Sequence, residues 1–289
     1  MKTGKRLTVF LAVIFLLAGI IPVNAASKRP SQYFRADAGI TENSDKAAGN
    51  LRLQDENLMS GSAQFSAEQL HMLAETLRER AEGKEIFVID LRQESHVFLN
   101  GIPVSWYGDN NQLNRGMGLS EVQADEQSRF GTLVGKTIDL HGSRTKGKKT
   151  PSLTVQSVET EETLAAREGL GYFRIPVTDH TFPEADQVDA FIDFVKQHDP
   201  ERTWLHFHCQ AGKGRTGIYM MLYDKMRHPG DRMEDIIARQ VRDGSSNPLK
   251  SKGTKSELTP LLFRYVEENS GSGYIVRWKE WLEKQPVSE

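Results

Sequence analysis

The stretch HFHCQAGKGRTG, residues 206–217, contains the only cysteine of a 289-residue chain, Cys209. The apolar residues before it end a short strand, and the run TGIYMMLYDKM after the loop has the apolar spacing of a helix. Gly212 and Gly214 permit a tight turn in which successive N–H groups face inward and bind an anion, supported by the positive end of the helix dipole. A thiolate at the rim of such a turn is stabilised. The stretch therefore predicts a strand–loop–helix unit that holds a nucleophilic sulfur beside an anion site.

Arg215 is separated from Cys209 by five residues. Its planar guanidinium is suited to hold two oxygens of one phosphoryl group as charge develops. A single cysteine is ordinarily a small buried hydrophobe, which is the alternative interpretation. Here, however, the cysteine follows a strand and is followed by glycines, an arginine and a helix. This is the arrangement that nucleophilic attack on a phosphate monoester requires. We therefore predict an enzyme that uses Cys209 as its nucleophile.

Composition and the first residues indicate an exported globular protein. The chain is 38% hydrophobic and 26% charged, with a formal net charge of -2, which is typical of a folded domain. The basic start MKTGKR, the apolar run LTVFLAVIFLLAGIIPV and the small residues Val23 and Ala25 predict a secretory signal peptide at 1–25. An uncleaved membrane anchor is the alternative. After cleavage we expect a periplasmic or secreted protein with no stable membrane anchor, in which any affinity for polyanions comes from local basic clusters.

The segment HCQAGKGRTG resembles the phosphate-binding loop of the cysteine-dependent protein tyrosine phosphatase superfamily, whose signature is HCxxGxxR followed by Ser or Thr. The resemblance implies two-step hydrolysis of phosphate monoesters through a phosphocysteine intermediate, with no metal and no cofactor. It also implies that Arg215 binds the phosphoryl group and that the Thr216 hydroxyl eases departure of the thiolate. The rest of the loop is then expected to bind substrate: Gln210, Ala211, Gly212, Lys213 and Gly214.

A general acid is expected in YFRIPVTDHTFP, residues 172–183. Asp179 follows an apolar strand, and a carboxylic acid at the carboxyl end of a parallel strand can reach a site at the same edge of the sheet. A turn or cap is the alternative role for this aspartate. TDHTFP resembles the mobile acid loop of the tyrosine phosphatase-like inositol polyphosphate phosphatases, or cysteine phytases. The resemblance implies that Asp179 is the general acid and that His180 contacts a substrate phosphate.

A third stretch, IDLRQESHVFLNGIPVSWYGDNNQLNRG at residues 89–116, is similar to a segment that those phytases carry in the same order. In them, an aspartate after the Trp-Tyr pair and an arginine in an N-terminal Phe-Arg step line the pocket. Asp109 and Arg35 occupy the matching places and are therefore expected to bind substrate. For Arg92 and Glu94, an ion pair that braces the loop is the alternative to substrate contact.

The loop departs from the phytase pattern at Lys213, since AGKGRTG is closer to the tensin-type phosphoinositide phosphatases. In those enzymes this lysine meets a second phosphate on the inositol ring. We therefore expect a small polyanionic substrate, a myo-inositol polyphosphate, with phytate as the leading example. The alternatives are a phosphotyrosine or phosphoinositide phosphatase, such as a secreted effector, and a phosphate-binding pseudoenzyme.

Alternating strands and helices predict an α/β fold whose parallel sheet is covered on both faces by helices. Together with the resemblance, this gives a tyrosine phosphatase-like catalytic domain at 61–289, preceded by an extended segment at 26–60. Short β-prone pieces predict a small inserted β unit at about 129–161. SAEQLHMLAETLRERAEG has a capping-box spacing at its start, which indicates an amphipathic helix.

Two basic clusters, Arg144 to Lys149 and Lys250 to Lys255, are ambiguous in the sequence. Such clusters usually lie on solvated loops, and the alternative is that one faces the site and binds peripheral phosphates. No nucleic-acid motif accompanies them, so no nucleic-acid partner is predicted. The histidines show no metal-ligand spacing, so no metal site is predicted.

Overall fold

The computed structural model describes residues 31–37, 48–142 and 152–286. The predicted signal peptide at 1–25 and the basic cluster from Arg144 to Lys149 lie outside these residues. These described residues pack into one unit. None of the helices in the described part of the chain is both long and apolar enough to cross a bilayer.

Twelve strands lie in the described residues: β1 Gln32–Ala36, β2 Arg52–Gln54, β3 Met59–Ser62, β4 Glu85–Asp90, β5 His96–Leu99, β6 Ile102–Gly108, β7 Thr137–Ile138, β8 His141–Gly142, β9 Leu153–Thr154, β10 Val158–Glu159, β11 Gly171–Arg174 and β12 Thr203–His208. Eight α-helices lie in the same part of the chain: α1 Ala67–Ala81, α2 Leu119–Phe130, α3 Glu161–Arg167, α4 Ala185–Gln197, α5 Arg215–Arg227, α6 Met233–Arg242, α7 Thr254–Asn269 and α8 Trp278–Glu283.

The main sheet has the order β11-β4-β12-β3-β2. The first four strands run parallel, and β2 pairs antiparallel with β3 at the edge. All six residues of the central strand β12 are buried, which is what a parallel sheet covered on both faces requires. The predicted α/β fold with a parallel core is therefore confirmed.

Helices cover both faces of this sheet. On one face, α4, α5, α7 and α8 pack against the strands around Phe191, Phe207 and Trp278. On the other face, α1 and α3 pack around Leu73 and Trp204. Burial of each such side chain contributes about 1.5 to 3 kcal/mol. These two cores hold the carboxyl ends of the strands in fixed positions.

The helix α1 begins as the sequence predicts. The Ser66 hydroxyl accepts the Gln69 N–H at 3.2 Å, and the Gln69 side chain accepts the Ser66 N–H at 3.0 Å. This capping box satisfies two N–H groups that the first turn leaves without partners. The predicted cap is confirmed.

A second sheet has the order β10-β5-β6-β1-β8, and β7 pairs with β9 alone. The short strands of the predicted insertion at about 129–161 are therefore joined to strands outside that range, because β8 pairs with β1 and β10 with β5. The predicted extended segment at 26–60 supplies β1 to this sheet and β2 to the main sheet. The domain boundaries themselves remain predictions.

Candidate active site

The loop between β12 and α5 carries Cys209, which is 3% exposed. Gly212 has a φ of 68°, and a Cβ there would lie 2.4 Å from the backbone of Ser62, so only glycine fits. The helix α5 begins at Arg215, directly after the loop. The predicted strand–loop–helix unit is confirmed, and the amino end of α5 faces the anion-binding turn.

A cavity of about 350 Å³ opens over this loop. Its walls bring together most of the residues that the sequence singles out: Arg35, Asp179, His180, Cys209, Gln210, Ala211, Lys213, Gly214 and Arg215. Three others lie outside the wall: Asp109, Gly212 and Thr216. Residues far apart in the sequence thus converge on a single sulfur.

Arg215 is held by Glu94 in a two-pronged ion pair, with Nη1–Oε2 at 2.6 Å and Nη2–Oε1 at 3.0 Å. Its Nη1 also donates to the carbonyls of Leu91 and Val177. Burial opposes the charge, but the Glu94 carboxylate outweighs burial and holds the pKa of Arg215 well above its usual value. The guanidinium is therefore fixed in place and permanently charged.

Arg92 and Glu94 form the bracing ion pair that the sequence left as an alternative. Arg92 Nε lies 2.9 Å from Glu94 Oε1, and its Nη2 lies 2.9 Å from Asp37 Oδ2. Asp37 in turn pairs with Arg35 at 2.7 Å. Burial raises the pKa of Glu94, but Arg215 and Arg92 outweigh it and hold that pKa well below its usual value. A chain of buried ion pairs thus connects Arg35 to Arg215.

Asp179 lies on the loop after β11. Its Oδ1 is 3.3 Å from Arg215 Nη2, and its Oδ2 accepts a hydrogen bond of 2.8 Å from Asn111 Nδ2. Gln112 Nε2 donates to the Asp179 carbonyl at 2.7 Å. Two amide side chains from another segment therefore hold Asp179 beside the arginine, one through its carboxyl group and one through its backbone carbonyl.

Sequence reasoning missed Asn111 and Gln112. Asp109, Asn110 and Asn111 have φ values of 44°, 52° and 70°, and residues other than glycine rarely adopt this region in succession. Asn and Asp tolerate it best, so the run DNN is the signal that could have marked this turn.

The structure does not bring Asp109 to the cavity wall. The residue is exposed, and its carbonyl accepts the Gln112 N–H at 3.1 Å. Thr216 is fully buried in the first turn of α5, and its hydroxyl has no hydrogen-bond partner among the described residues.

Arg35 presents an unsatisfied donor at the cavity. Its Nε pairs with Asp37, its guanidinium lies 4.4 Å from the centre of the Tyr107 ring, and its Nη2 is buried with no hydrogen-bond partner in the described residues. A buried N–H without a partner is costly unless an anion satisfies it. The prediction that Arg35 binds substrate is consistent with this unpaired donor.

Lys255 belongs to the second basic cluster and lies at the cavity. It lines the cavity, whereas Lys250 and Lys252 are absent from the wall. Burial lowers the pKa of Lys255, with Asp179 acting in the opposite direction. One lysine of this cluster therefore faces the site, and exposed Lys213 lies on the same wall.

A second buried cluster lies behind the loop, where donor atoms of Asp90, His96 and Glu161 fall within 4.8 Å of one another, a spacing that a metal ion could use. These acids already have close partners, since Arg174 lies 3.1 Å from Asp90 and His208 lies 2.6 Å from Glu161. Burial opposes both charges, but His208 lowers the pKa of Glu161 to about 2, and Asp90 raises that of His96 to about 9. We interpret the cluster as an ion-pair network that supports His208 next to the nucleophile.

The fold and this loop define a member of the tyrosine phosphatase structural class. Residues 89–227 match the sequence model of the PTP-like phytase (inositol hexakisphosphate) family. The PTP-like phytase of Bdellovibrio bacteriovorus is 32% identical, with 84% of this chain and 93% of that chain covered and a TM-score of 0.70. The chain belongs to the PTP-like phytase family.

Two longer proteins are also similar. The tandemly repeated PTP-like phytase of Mitsuokella multacida is 32% identical, with 87% of this chain and 49% of that chain covered and a TM-score of 0.79. It has also been solved in complex with myo-inositol-(1,3,4,5)-tetrakisphosphate. Effector protein hopD2 of Pseudomonas syringae pv. tomato is 28% identical over 228 residues, which are 72% of this chain and 48% of that protein. The chain thus spans about half the length of each.

Proposed function

We propose that the protein hydrolyses phosphate monoesters of myo-inositol polyphosphates, with phytate as the leading substrate. The observation that carries the proposal is the basic wall around the sulfur. Besides Arg215, the cavity holds Arg35, His180, Lys213 and Lys255. One phosphoryl group needs only the loop and Arg215, whereas a substrate with several phosphates gives each remaining basic group an anion. The inositol tetrakisphosphate bound by the Mitsuokella relative supports this choice.

The chemistry follows from the geometry of the loop. The Cys209 thiolate attacks phosphorus and forms an S–P bond, while Arg215 and the loop N–H groups hold the equatorial oxygens. The P–O bond breaks, and Asp179 gives its proton to the departing inositol oxygen. Water then attacks the phosphocysteine, Asp179 takes a proton from that water, and phosphate leaves. The Thr216 hydroxyl hydrogen-bonds the sulfur as the S–P bond breaks.

The basic groups on the wall set the substrate preference. An anion about 5 to 7 Å from a partly screened cation gains about 1 to 2 kcal/mol. Several such pairs favour a densely phosphorylated ring over a phosphotyrosine side chain, which offers one phosphate. Lys213, through its resemblance to the tensin-type loop, favours a phosphoinositide phosphatase as the second candidate. The likeness to hopD2, an effector by name, keeps a phosphotyrosine phosphatase delivered as an effector beside it.

We further propose that the protein is exported to the periplasm or beyond, with no stable membrane anchor and no nucleic-acid partner. The basic and apolar start of the sequence and the small residues at 23 and 25 support this proposal. N-terminal sequencing of the protein from a periplasmic fraction tests it. A start at Ala26 supports cleavage, and an intact Met1 in the membrane fraction contradicts it.

One experiment separates the candidate functions. Phosphate release is measured side by side from phytate, a phosphotyrosine peptide and a phosphoinositide, with Cys209→Ser as the matched blank. We expect the highest kcat/KM with phytate. A higher value with the peptide or the lipid would assign the second candidate, and no release from any of the three would leave phosphate binding without catalysis.

A further inference from the structure

Arg52 is an unusual buried cation. It lies on β2 and is 6% exposed. The buried arginines Arg35, Arg92, Arg174 and Arg215 each pair with a carboxylate. Within the described residues, Arg52 forms no such ion pair, and its Nε has no hydrogen-bond partner. An uncompensated buried charge is strongly destabilising, so its presence needs an anion that balances it.

One hydrogen bond of Arg52 goes to the loop of the nucleophile. Its Nη1 donates to the Gly212 carbonyl at 2.8 Å, and its Nη2 donates to Ser245 Oγ at 3.3 Å. Asn50 Nδ2 adds a second donor to the same carbonyl at 3.0 Å. Two side chains from the start of the main sheet therefore hold one peptide group of the loop.

The position of that carbonyl determines where the next N–H points. In a planar trans peptide, the C=O and the following N–H point in opposite directions. The Gly212 carbonyl faces Arg52, which is not part of the cavity wall, so the Lys213 N–H faces the other way. Lys213 lies on that wall. Arg52 and Asn50 thus turn one N–H of the loop towards the anion site.

Arg52 also lies near the helix that follows the loop. A Cβ built on Gly61 would be 3.1 Å from both Arg52 Cζ and Thr216 Cγ2, so the guanidinium packs beside the start of α5. Burial lowers the pKa of Arg52 to about 10, and Cys209 and Asp243 act in the opposite direction. Asp243 is partly exposed and accepts a hydrogen bond from Gln54.

One other titratable group faces Arg52. His206 lies between the hydroxyls of Ser60 and Ser62, and burial lowers its pKa to about 3, with His208 and Arg52 adding to the effect. His206 is therefore uncharged at neutral pH and does not balance the charge of Arg52. Cys209 is buried three residues before Gly212, in the loop that Arg52 holds.

We propose that Arg52 is a positioning residue of the reaction: it fixes the Gly212–Lys213 peptide towards the anion site and stabilises the Cys209 thiolate from behind the loop. The inference rests on the proposed thiolate chemistry.

The ionisation of Cys209 can be measured without any substrate. Because Cys209 is the only cysteine, alkylation by iodoacetamide followed by mass spectrometry across pH reports on it alone. We expect Arg52→Gln to raise the pH of half-maximal alkylation rate by about one unit, a tenfold loss of thiolate at low pH. Arg52→Lys keeps the charge and restores the wild-type profile. Arg80→Gln, the same substitution at an exposed arginine of α1, is the matched control and leaves the profile unchanged.

The orientation of the peptide is measured separately, by competitive inhibition with inorganic phosphate. Asn50 has a φ of 55°, which glycine adopts freely, so Asn50→Gly removes one donor without strain. We expect it to weaken phosphate binding about threefold and to leave the alkylation profile unchanged. This variant keeps the proposal testable if Arg52→Gln does not fold.

If Arg52→Gln has the wild-type pH profile of alkylation, the electrostatic role of Arg52 is overturned. It is also overturned if Arg52→Lys does not have the wild-type profile. Unchanged phosphate inhibition in Asn50→Gly overturns the orientation of the peptide. If wild-type Cys209 alkylates like a free cysteine, the proposed function fails as well, and this outcome is distinct from a failure confined to Arg52 and Asn50.

Discussion

Asp179 lies against Arg215, with Oδ1 of the carboxyl group 3.3 Å from Nη2 of the guanidinium. The two residues follow different strands, β11 and β12, which pair with opposite edges of β4. Arg174 and His208, the last residues of those strands, both lie level with Asp90. Because parallel strands end at the same edge of the sheet, the loops that follow them meet there. The proposed acid and the phosphoryl-binding arginine are thus brought together by sheet register.

The first prediction concerns the nucleophile. Only a thiolate can form the covalent intermediate, so Cys209→Ser should abolish turnover of phytate and leave substrate affinity nearly unchanged. Steady-state phosphate release and calorimetric binding of phytate check the two parts. Substantial residual turnover in this variant would exclude the phosphocysteine mechanism.

A second prediction concerns metals. In the proposed mechanism the loop N–H groups and Arg215 supply the positive charge that divalent ions supply in many other phosphatases. Treatment with excess EDTA, followed by desalting, should therefore leave kcat with phytate unchanged. A loss that Mg²⁺ or Zn²⁺ restores would contradict this mechanism.

The third prediction concerns the acid. If Asp179 protonates the leaving oxygen, Asp179→Asn should lower kcat by about 10²- to 10⁴-fold with phytate, whose leaving group is an alkoxide. The loss should be much smaller with an aryl phosphate, whose leaving group needs little protonation. The ratio of the two losses is the measurement. Equal losses on both substrates would indicate that Asp179 serves only the structure of the loop.

A fourth prediction concerns acid stability. The pKa of Glu161 is about 2 in the folded protein, against an ordinary value of 4.5, so its stabilisation is present above pH 4.5 and is lost as pH falls towards 2. Glu161→Gln should lower the free energy of unfolding at pH 7 by about 2 to 3 kcal/mol and flatten its fall between pH 4.5 and 2. Urea unfolding at several pH values measures both effects.

The control for that experiment is Glu162→Gln. Glu162 is exposed on the same turn of α3, so this variant removes the same charge without touching His208. We expect a change of less than about 0.5 kcal/mol. If the two variants behave alike, Glu161 does not act through its buried ion pair.

The sequence predicted what depends on local pattern. Strand β12, the glycine loop and α5 are contiguous, and their spacing alone placed Cys209 beside Arg215. The parallel core followed from the alternation of strands and helices, and Asp179 followed from its place after an apolar strand. The family resemblance added Arg35.

What the sequence could not show depends on contacts between distant segments. Arg52 and Gly212 are 160 positions apart, and Asn111 and Asp179 are 68 apart. No periodicity records such pairs. The family resemblance singled out Asp109 for substrate binding, whereas the contact of Asn111 with Asp179 depends on the fold of the 109–111 turn.

The last prediction concerns Lys213, the residue that most separates this loop from the phytase pattern. It is exposed on the cavity wall, where a second phosphate of an inositol polyphosphate would gain about 1 to 2 kcal/mol from its charge. Lys213→Ala should therefore lower kcat/KM for phytate about tenfold and leave kcat/KM for a simple aryl phosphate little changed. This difference between the two substrates should disappear as the salt concentration rises. Lys252→Ala, an exposed lysine outside the wall, is the matched control and should change neither substrate. If Lys213→Ala impairs both substrates equally, the lysine serves the fold of the loop, and the proposed preference for polyphosphates rests on Arg35, His180 and Lys255 alone.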